Sequence, residues 1–491
     1  MLLALAYPPF HLLLPTFVCL IPAVILVERA RTQARPVRWA LQTGFWYGVA
    51  AHGLVLYWMI VALWHFTPMS ALGYLATVAI LSGWMSLVFA GTAWIRARTA
   101  FPMVLVFPAL WTAAEWMMGH QGDLRFPWVG LGTSLTGFPT LIQAADLVGA
   151  RGLTTLLVMA NVLLLEAWRQ RGTLASARRL LVVSVGVLAA LAYGMWRMRT
   201  LPVRPAGVIA VTQPSIGFQE KWDAIRQEQI FDSVVSISRE ALAHPGVQLV
   251  VWPEASMPGS FMLRPSWERV IGVQARAAGV PIVVGGLDYE FTGDQPGDYE
   301  YWNAAFVFDA DGVRRAIPYH KRYLVPITER VPFVNPRWFN LAFFGAFSIG
   351  RDAPVFASPV GAFGILICYE SLFPELAADY RRRGAELLFN ITNDAWFGNT
   401  SAPPGHLAHM VMRAIETRVG VARAANTGIS GFIDPFGRIT ARSALGDRTT
   451  LAATVMTTDV IPLAVRWGDW VGVLSLLGTA LLLGAAAWRR R

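Results

Sequence analysis

Seven long apolar runs decide most of what this chain can become: residues 12–27, 39–64, 71–95, 101–118, 147–168, 180–196 and 470–488. A helix needs about 20 predominantly apolar residues to cross the hydrocarbon of a bilayer. Inside lipid the backbone has no water to bond to, so such runs fold as helices. Several close on tryptophan, which favours the headgroup level. The fourth run is short and carries Glu115, so it is expected to be partly re-entrant or packed inside a bundle. Only 15% of all residues are charged, too few to cover a water-soluble protein of this length. Between the sixth and seventh runs, however, Asp, Glu, Lys and Arg return to ordinary density. The expected organisation is therefore a membrane helical bundle over 1–199 (about six spans after a short N-terminal stub), a polar domain over 203–460, and a last span with a basic tail over 466–491.

Arginines mark which side each loop faces. Arg29, Arg31, Arg35 and Arg38 follow the first run, Arg96 and Arg98 the third, and Arg169, Arg171, Arg178 and Arg179 the fifth, while loop 65–70 has no Lys or Arg. Arg-rich loops stay cytoplasmic. The sixth span then leads outward, the polar domain lies outside, and Arg489, Arg490 and Arg491 end inside. Arg197, Arg199 and Arg204 oppose this slightly. The count also starts the chain outside, so the expectation is either a first span shortened or lost or a true start upstream. The net charge of +10 is spent on these clusters and on lipid headgroups. No basic stripe interleaved with aromatics is present, and a nucleic-acid partner is not expected. The two cysteines, Cys19 in an apolar run and Cys368 in the polar domain, make neither a disulfide framework nor a zinc set.

From about Val203 the pattern becomes short β-branched runs bounded by Gly, Pro and Asp. Residues 208–213, 248–256, 281–286, 303–309, 363–371, 385–394, 420–426 and 430–434 read as strands. Amphipathic stretches 222–244 and 265–278 read as helices between them, which implies an α/β layered domain. Three reactive groups sit at or after buried strands: Glu254 after Val250-Val251-Trp252-Pro253, Lys321 in His320-Lys321-Arg322, and Cys368 after Gly364-Ile365-Leu366-Ile367. Strand ends are where α/β folds gather catalytic groups. A carboxylate can take a thiol proton, a thiolate can attack a carbonyl, and an ammonium can lower the thiol pKa and hold an oxyanion. Taken singly, each has a structural reading as well: a packed cysteine, a capping glutamate, a surface lysine.

Trp252-Pro253-Glu254, Lys321 and Cys368-Tyr369-Glu370 resemble the Glu-Lys-Cys triad of the nitrilase, or carbon–nitrogen hydrolase, superfamily. With Asn393-Asp394-Ala395-Trp396-Phe397-Gly398 and the flanking spans, nearly the whole chain resembles the apolipoprotein N-acyltransferase family. The resemblance implies a membrane bundle plus an αββα nitrilase-type domain on the periplasmic side of a bacterial inner membrane. It also implies Glu254 as general base, Lys321 as oxyanion stabiliser and Cys368 as nucleophile, with no cofactor. Trp222, Glu329, Tyr369 and Glu370 match further positions of the family. Their structural readings are packing for Trp222 and Tyr369 and a surface ion pair for Glu329. Ile327-Thr328 stands where Phe-Gly is more usual.

The implied donor is a phospholipid, commonly phosphatidylethanolamine, and the implied acceptor is a diacylated apolipoprotein; a monomer is expected. The competing readings are a membrane-tethered amidase acting on small molecules and a transporter or scaffold with an inactive outer domain. His406 and His409, three apart, lack a third metal ligand nearby in sequence, and a Cys–His arrangement with Cys368 is a weaker possibility. Asn426-Thr427-Gly428 reads as a turn bordering the pocket, and the aromatic segment 338–344 as a lid or membrane-dipping loop.

Overall fold

The computed structural model describes residues 1–64, 71–221, 223, 225–257, 259–293, 299–330 and 347–488. Segment 338–344 and Trp222 therefore lie outside the described residues. The chain forms two compact units, Met1–Thr200 with Trp467–Arg491, and Leu201–Arg466.

In the first unit, five helical stretches among the described residues are long and apolar enough to cross a membrane: Leu13–Thr32, which is built of shorter pieces, Ala71–Arg98, Ala145–Arg169, Leu174–Thr200 and Trp470–Trp488. Run 39–64 is not one helix. It breaks after Pro36–Val55 and resumes as Trp58–Trp64. Run 12–27 also breaks, into Leu13–Val18 and Ile21–Arg29. Pro22 suits the first turn of the second piece, where its missing N–H costs nothing. The break exposes backbone groups in an apolar setting, and Asn161 satisfies them. Its Oδ1 accepts from Leu20 N at 2.9 Å and its Nδ2 donates to Thr16 O at 3.1 Å.

Glu115 does similar work on helix Met103–His120. Its Oε1 accepts from Leu131 N at 2.9 Å and from Trp111 Nε1 at 3.1 Å, and its Oε2 from Thr154 Oγ1 at 2.9 Å. The carboxylate pins the turn Leu131–Leu135 to two helices, so the segment is packed within the bundle. Helices Pro36–Val55 and Ala71–Arg98 approach closely through small residues. A Cβ on Gly48 would lie 2.6 Å from Ser82 Cα, and one on Gly44 2.8 Å from Met85 O.

The second unit holds two sheets. The strands are β1 (Arg204–Gln213), β2 (Val247–Val251), β3 (Ile282–Phe291), β4 (Tyr299–Phe308), β5 (Tyr319–His320), β6 (Phe363–Ile367), β7 (Leu387–Thr392), β8 (Gly420–Ala425), β9 (Gly431–Ile433), β10 (Ile439–Arg442) and β11 (Thr449–Thr457). One sheet runs β11-β1-β2-β3-β4-β5 and the other β10-β9-β8-β7-β6. Each has a parallel triple: β1-β2-β3 has antiparallel strands on both sides, and β6-β7-β8 has them on the β8 side, with β6 at the edge. The parallel members β6, β7 and β8 are buried along their whole length, as expected for strands covered on both faces.

Sheet faces sheet through β8 against β1 and β11. Gly420 permits that approach, since a Cβ there would lie 2.1 Å from Met456 O. Helices Gln227–Leu242 and Pro265–Ala278 cover the first sheet over a core built on Trp252, Phe231 and Trp267. Helices Pro374–Arg382 and Ala402–Thr417 cover the second, completing an αββα sandwich. The helix at 265–278 starts on Pro265 and stops at Gly279, whose φ of 64° is a left-handed cap. Two expected strands are shorter than their apolar runs. Residues 252–256 leave β2 as a turn, and Cys368–Leu372 is a 3₁₀ turn beyond β6.

The helix contact yields a stability prediction. Gly48→Ala forces a methyl into Ser82 and should cost about 1–3 kcal/mol. Gly83, on the neighbouring helix, has nothing within 4 Å of a built Cβ, so Gly83→Ala should hold or gain up to ~1 kcal/mol. Thermal unfolding of the two variants in detergent checks the ordering. Equal midpoints would rule out a close Gly48 contact.

Candidate active site

Adjacent strand ends of both sheets supply the reactive groups. Lys321 comes directly after β5, with its N–H on Asn303 O of β4 at 2.8 Å. Its side chain is buried, and its ammonium reaches Glu329 Oε1 at 2.8 Å and Glu254 Oε1 at 3.3 Å. Asn303 Nδ2 donates to the same two carboxylates, at 2.7 Å to Glu254 and 3.1 Å to Glu329. Asn393 N gives Glu254 Oε2 a further hydrogen bond of 2.7 Å. Glu329 is thus no surface ion pair. Its other oxygen accepts from Val325 N at 2.8 Å, closing a tight loop in which Ile327 takes a φ of 72°. That conformation is rare for a β-branched residue. The loop departs from the commoner Phe-Gly yet keeps the glutamate on Lys321.

Cys368 opens the 3₁₀ turn after β6 and is itself left-handed, with φ 50°. Glu370 braces it. Its Oε2 accepts from Ile367 N at 2.7 Å, and its Oε1 from Arg322 N at 2.7 Å, Tyr323 N at 3.2 Å and Tyr319 Oη at 2.7 Å. One carboxyl therefore couples the Cys368 turn to the Lys321 loop. Tyr369 is buried, edge-on to Phe373 with ring centroids 5.2 Å apart.

Burial alone would push the Lys321 ammonium down, but the carboxylates of Glu329 and Glu254 outweigh it and hold it above the ordinary lysine range. Burial, and then the Glu254 charge, push the Cys368 thiol well above its usual value; Lys321 pulls it back only in part. The expected lowering of the thiol by the ammonium is present but loses to desolvation.

Sequence reading missed three elements of the site. Asn303 bridges the carboxylates from a strand interior, and its position in an apolar run was the one available signal. Lys221, buried, donates to Glu254 O at 3.1 Å; burial lowers it to about 8, with Glu254 opposing. The third is Asp394, which partners His406. Cys368 Sγ, an Asp394 carboxylate oxygen and a His406 ring nitrogen lie within 4.8 Å of one another; His409 is not in that group. His406 Nδ1 is 3.0 Å from Asp394 Oδ1, and Nε2 is 3.0 Å from Cys368 O. Arg423 Nη2 is 2.8 Å from Asp394 Oδ2. With a guanidinium on the carboxylate and both imidazole nitrogens engaged, the set is a hydrogen-bonded network and a poor cation cradle. The turn at 426–428 also belongs here. Asn426 Nδ2 donates to Asn393 Oδ1 at 2.9 Å, and a Cβ on Gly428 would meet Asp394 Oδ2 at 2.2 Å.

Residues 208–464 match the carbon-nitrogen hydrolase family, and residues 1–163 match the apolipoprotein N-acyltransferase N-terminal domain. The apolipoprotein N-acyltransferase of Geobacter metallireducens is 32% identical over 507 residues, covering 100% of this chain and 94% of that one. That of Caulobacter vibrioides is 33% identical over 464 residues, 90% and 84% of the two chains. Among solved structures, an amidase from Nesterenkonia sp. aligns with a TM-score of 0.39 at 19% identity, covering 57% of this chain and 98% of that one. The chain belongs to the apolipoprotein N-acyltransferase family.

The network has a pH signature. Burial raises the Asp394 carboxyl, but His406 and Arg423 lower it more, to about 2 from 3.8. A depressed carboxylate stabilises the fold above its unfolded pKa, and the contribution is lost as pH falls through its folded value. Asp394→Asn should therefore cost about 2 kcal/mol or more at pH 7. The gap to the parent protein should narrow between about pH 4 and pH 2, read by urea unfolding in detergent. A gap that stays constant over that range would mean Asp394 is not held as a carboxylate.

Proposed function

We propose that this chain transfers a fatty acyl group from a membrane phospholipid to the N-terminal amine of diacylglyceryl-cysteine on a lipoprotein, through a thioester on Cys368. Two observations support it: kinship with apolipoprotein N-acyltransferases over both units, and a buried Lys321 held between Glu254 and Glu329 near a buried thiol. The reading places the first unit in a bacterial inner membrane and the second on its periplasmic side. The clustering of arginines in alternate loops supports that orientation, because Arg-rich loops tend to stay cytoplasmic. Phosphatidylethanolamine is the proposed donor and a monomer the proposed working form.

In the first half-reaction Cys368 Sγ attacks the ester carbonyl while its proton passes to Glu254. A raised thiol pKa favours this coupled transfer over a standing thiolate. Among the described residues Lys321 gives N–H groups to Glu329 and Glu254, which leaves one of its three for the developing oxyanion. As the ester C–O bond breaks, Glu254 returns the proton to the glycerol oxygen and lysophospholipid leaves. In the second half-reaction the acceptor amine attacks the thioester carbonyl. Its surplus proton goes to Glu254, the C–S bond breaks, and the sulfur is reprotonated. Glu329 and Asn303 keep Lys321 charged and aimed throughout. Sequential use of one site by two substrates gives ping-pong kinetics.

Intact mass spectrometry of the full-length protein with phosphatidylethanolamine tests this. The parent protein should gain one acyl group, absent in Cys368→Ala, and should pass it to a diacylated lipopeptide as an amide. Lys321→Met and Glu254→Gln should slow adduct formation by about 10²-fold or more. An adduct in Cys368→Ala, or release of free fatty acid with no amide, would overturn the proposal.

A further inference from the structure

We propose that His406 is a positioning residue for Cys368, holding the carbonyl of the nucleophile so that its backbone stays left-handed and its sulfur stays aimed. The inference rests on the reading of Cys368 as nucleophile. A cysteine at φ 50° occupies a conformation that L-residues other than glycine and asparagine seldom adopt, and it persists only where surroundings over-determine it. Here side chains hold the backbone one peptide unit upstream of the residue and at its own carbonyl. The N–H of Ile367 goes to Glu370 Oε2 at 2.7 Å. The C=O of Cys368 goes to His406 Nε2 at 3.0 Å. Every partner is buried, so water does not substitute for either bond.

The support behind His406 closes on the same strand. His406 projects from helix Ala402–Thr417 with Nδ1 3.0 Å from Asp394 Oδ1 and 3.2 Å from Arg423 Nη2. Asp394 Oδ1 also accepts from Thr392 Oγ1 at 2.8 Å. Arg423 donates to Ile429 O at 3.1 Å and to Asn390 Oδ1, and Asn390 Nδ2 donates to Leu366 O at 2.9 Å, two residues before the nucleophile. The circuit therefore begins and ends on β6 and its turn.

The chemistry also excludes the other role for this ring. A carbonyl oxygen only accepts, so Nε2 carries a proton whichever partner takes Nδ1. A nitrogen in that state has no lone pair for the thiol proton, and Nδ1 is already engaged. His406 acts on Cys368 through its backbone, while Glu254 remains the base.

Two near-isosteres separate these roles. Glutamine places an N–H where Nε2 stands; asparagine reaches only as far as Nδ1. Acylation of Cys368 should be followed in the full-length protein with p-nitrophenyl butyrate, as a nitrophenolate burst, and with phosphatidylethanolamine, as the mass adduct. His406→Asn should slow the burst by about 10- to 100-fold, the scale of a nucleophile misplaced by roughly an ångström. His406→Gln should recover to within about fivefold of the parent, with the same pH profile. Parent-like acylation in His406→Asn, or a His406→Gln as slow as His406→Asn, would overturn the proposal. If His406→Asn does not fold, His406→Gln decides alone: an unchanged pH profile near parental rate supports positioning, and a drop of tenfold or more sinks it. A parent protein that is acylated by the ester but not by phospholipid would instead count against the proposed donor and leave this comparison intact.

Discussion

An ammonium buried between two carboxylates sets the terms for the catalytic unit. Lys321 could not remain charged away from water on its own, because desolvation favours the neutral amine. Glu329 and Glu254 reverse that preference, and Asn303 spaces them by donating to both. The three ionised groups carry one net negative charge beside Cys368. The thiol therefore meets an environment that resists its ionisation, from burial first and Glu254 second. Breaking the pairing from either side would leave an uncompensated buried charge, a defect usually worth about 3–5 kcal/mol.

That arrangement needs strand ends from both sheets to meet, and the fold provides it by repetition. Each sheet has a parallel triple whose carboxyl ends feed the site. Glu254 follows β2, Cys368 follows β6, Asn393 and Asp394 follow β7, and Asn426 follows β8. The antiparallel strand β4 brings in Asn303, and β5, only two residues long, exists to deliver Lys321. In the membrane-type unit the same economy holds for polar groups. Asn161 mends a helix break, and Glu115 fastens a turn. Each is engaged with backbone N–H or C=O groups that the helix ends leave over, and both are read as structural pins.

The sequence was most legible where a single physical demand acts on many consecutive residues. Apolar length located the long helices, and buried β-branched runs located β1, β3, β6, β7 and β8 to within a few residues. It was less legible where geometry depends on distant partners. Nothing local marks β5, because two residues carry no periodicity, and β11 was missed because its alternation is weak and its pairing is with the far end of the chain at β1. The break at 56–57 has no proline to announce it. In the site, motif residues were readable as types. Asn303, Lys221 and the Asp394–His406–Arg423 network were not, since the contacts that join them to the site and to one another span 12 to 49 residues of chain. His406 was judged by its sequence neighbour His409, when its true partner is twelve residues upstream.

A thiol kept neutral at rest has a consequence for transfer against hydrolysis. A standing thiolate would be open to oxidants and would attack whatever carbonyl arrived. A buried thiol that ionises only as its proton moves to Glu254 reacts when a bound ester and an oxyanion donor are both in place. The same raised thiol pKa makes sulfur a poorer leaving group, so the thioester is less prone to spontaneous loss. In the proposed cycle it is released by an amine whose own proton Glu254 can accept. As the proposed base, Glu254 would govern both halves of that cycle, and three donors on its two oxygens hold it between Lys321 and Asn393.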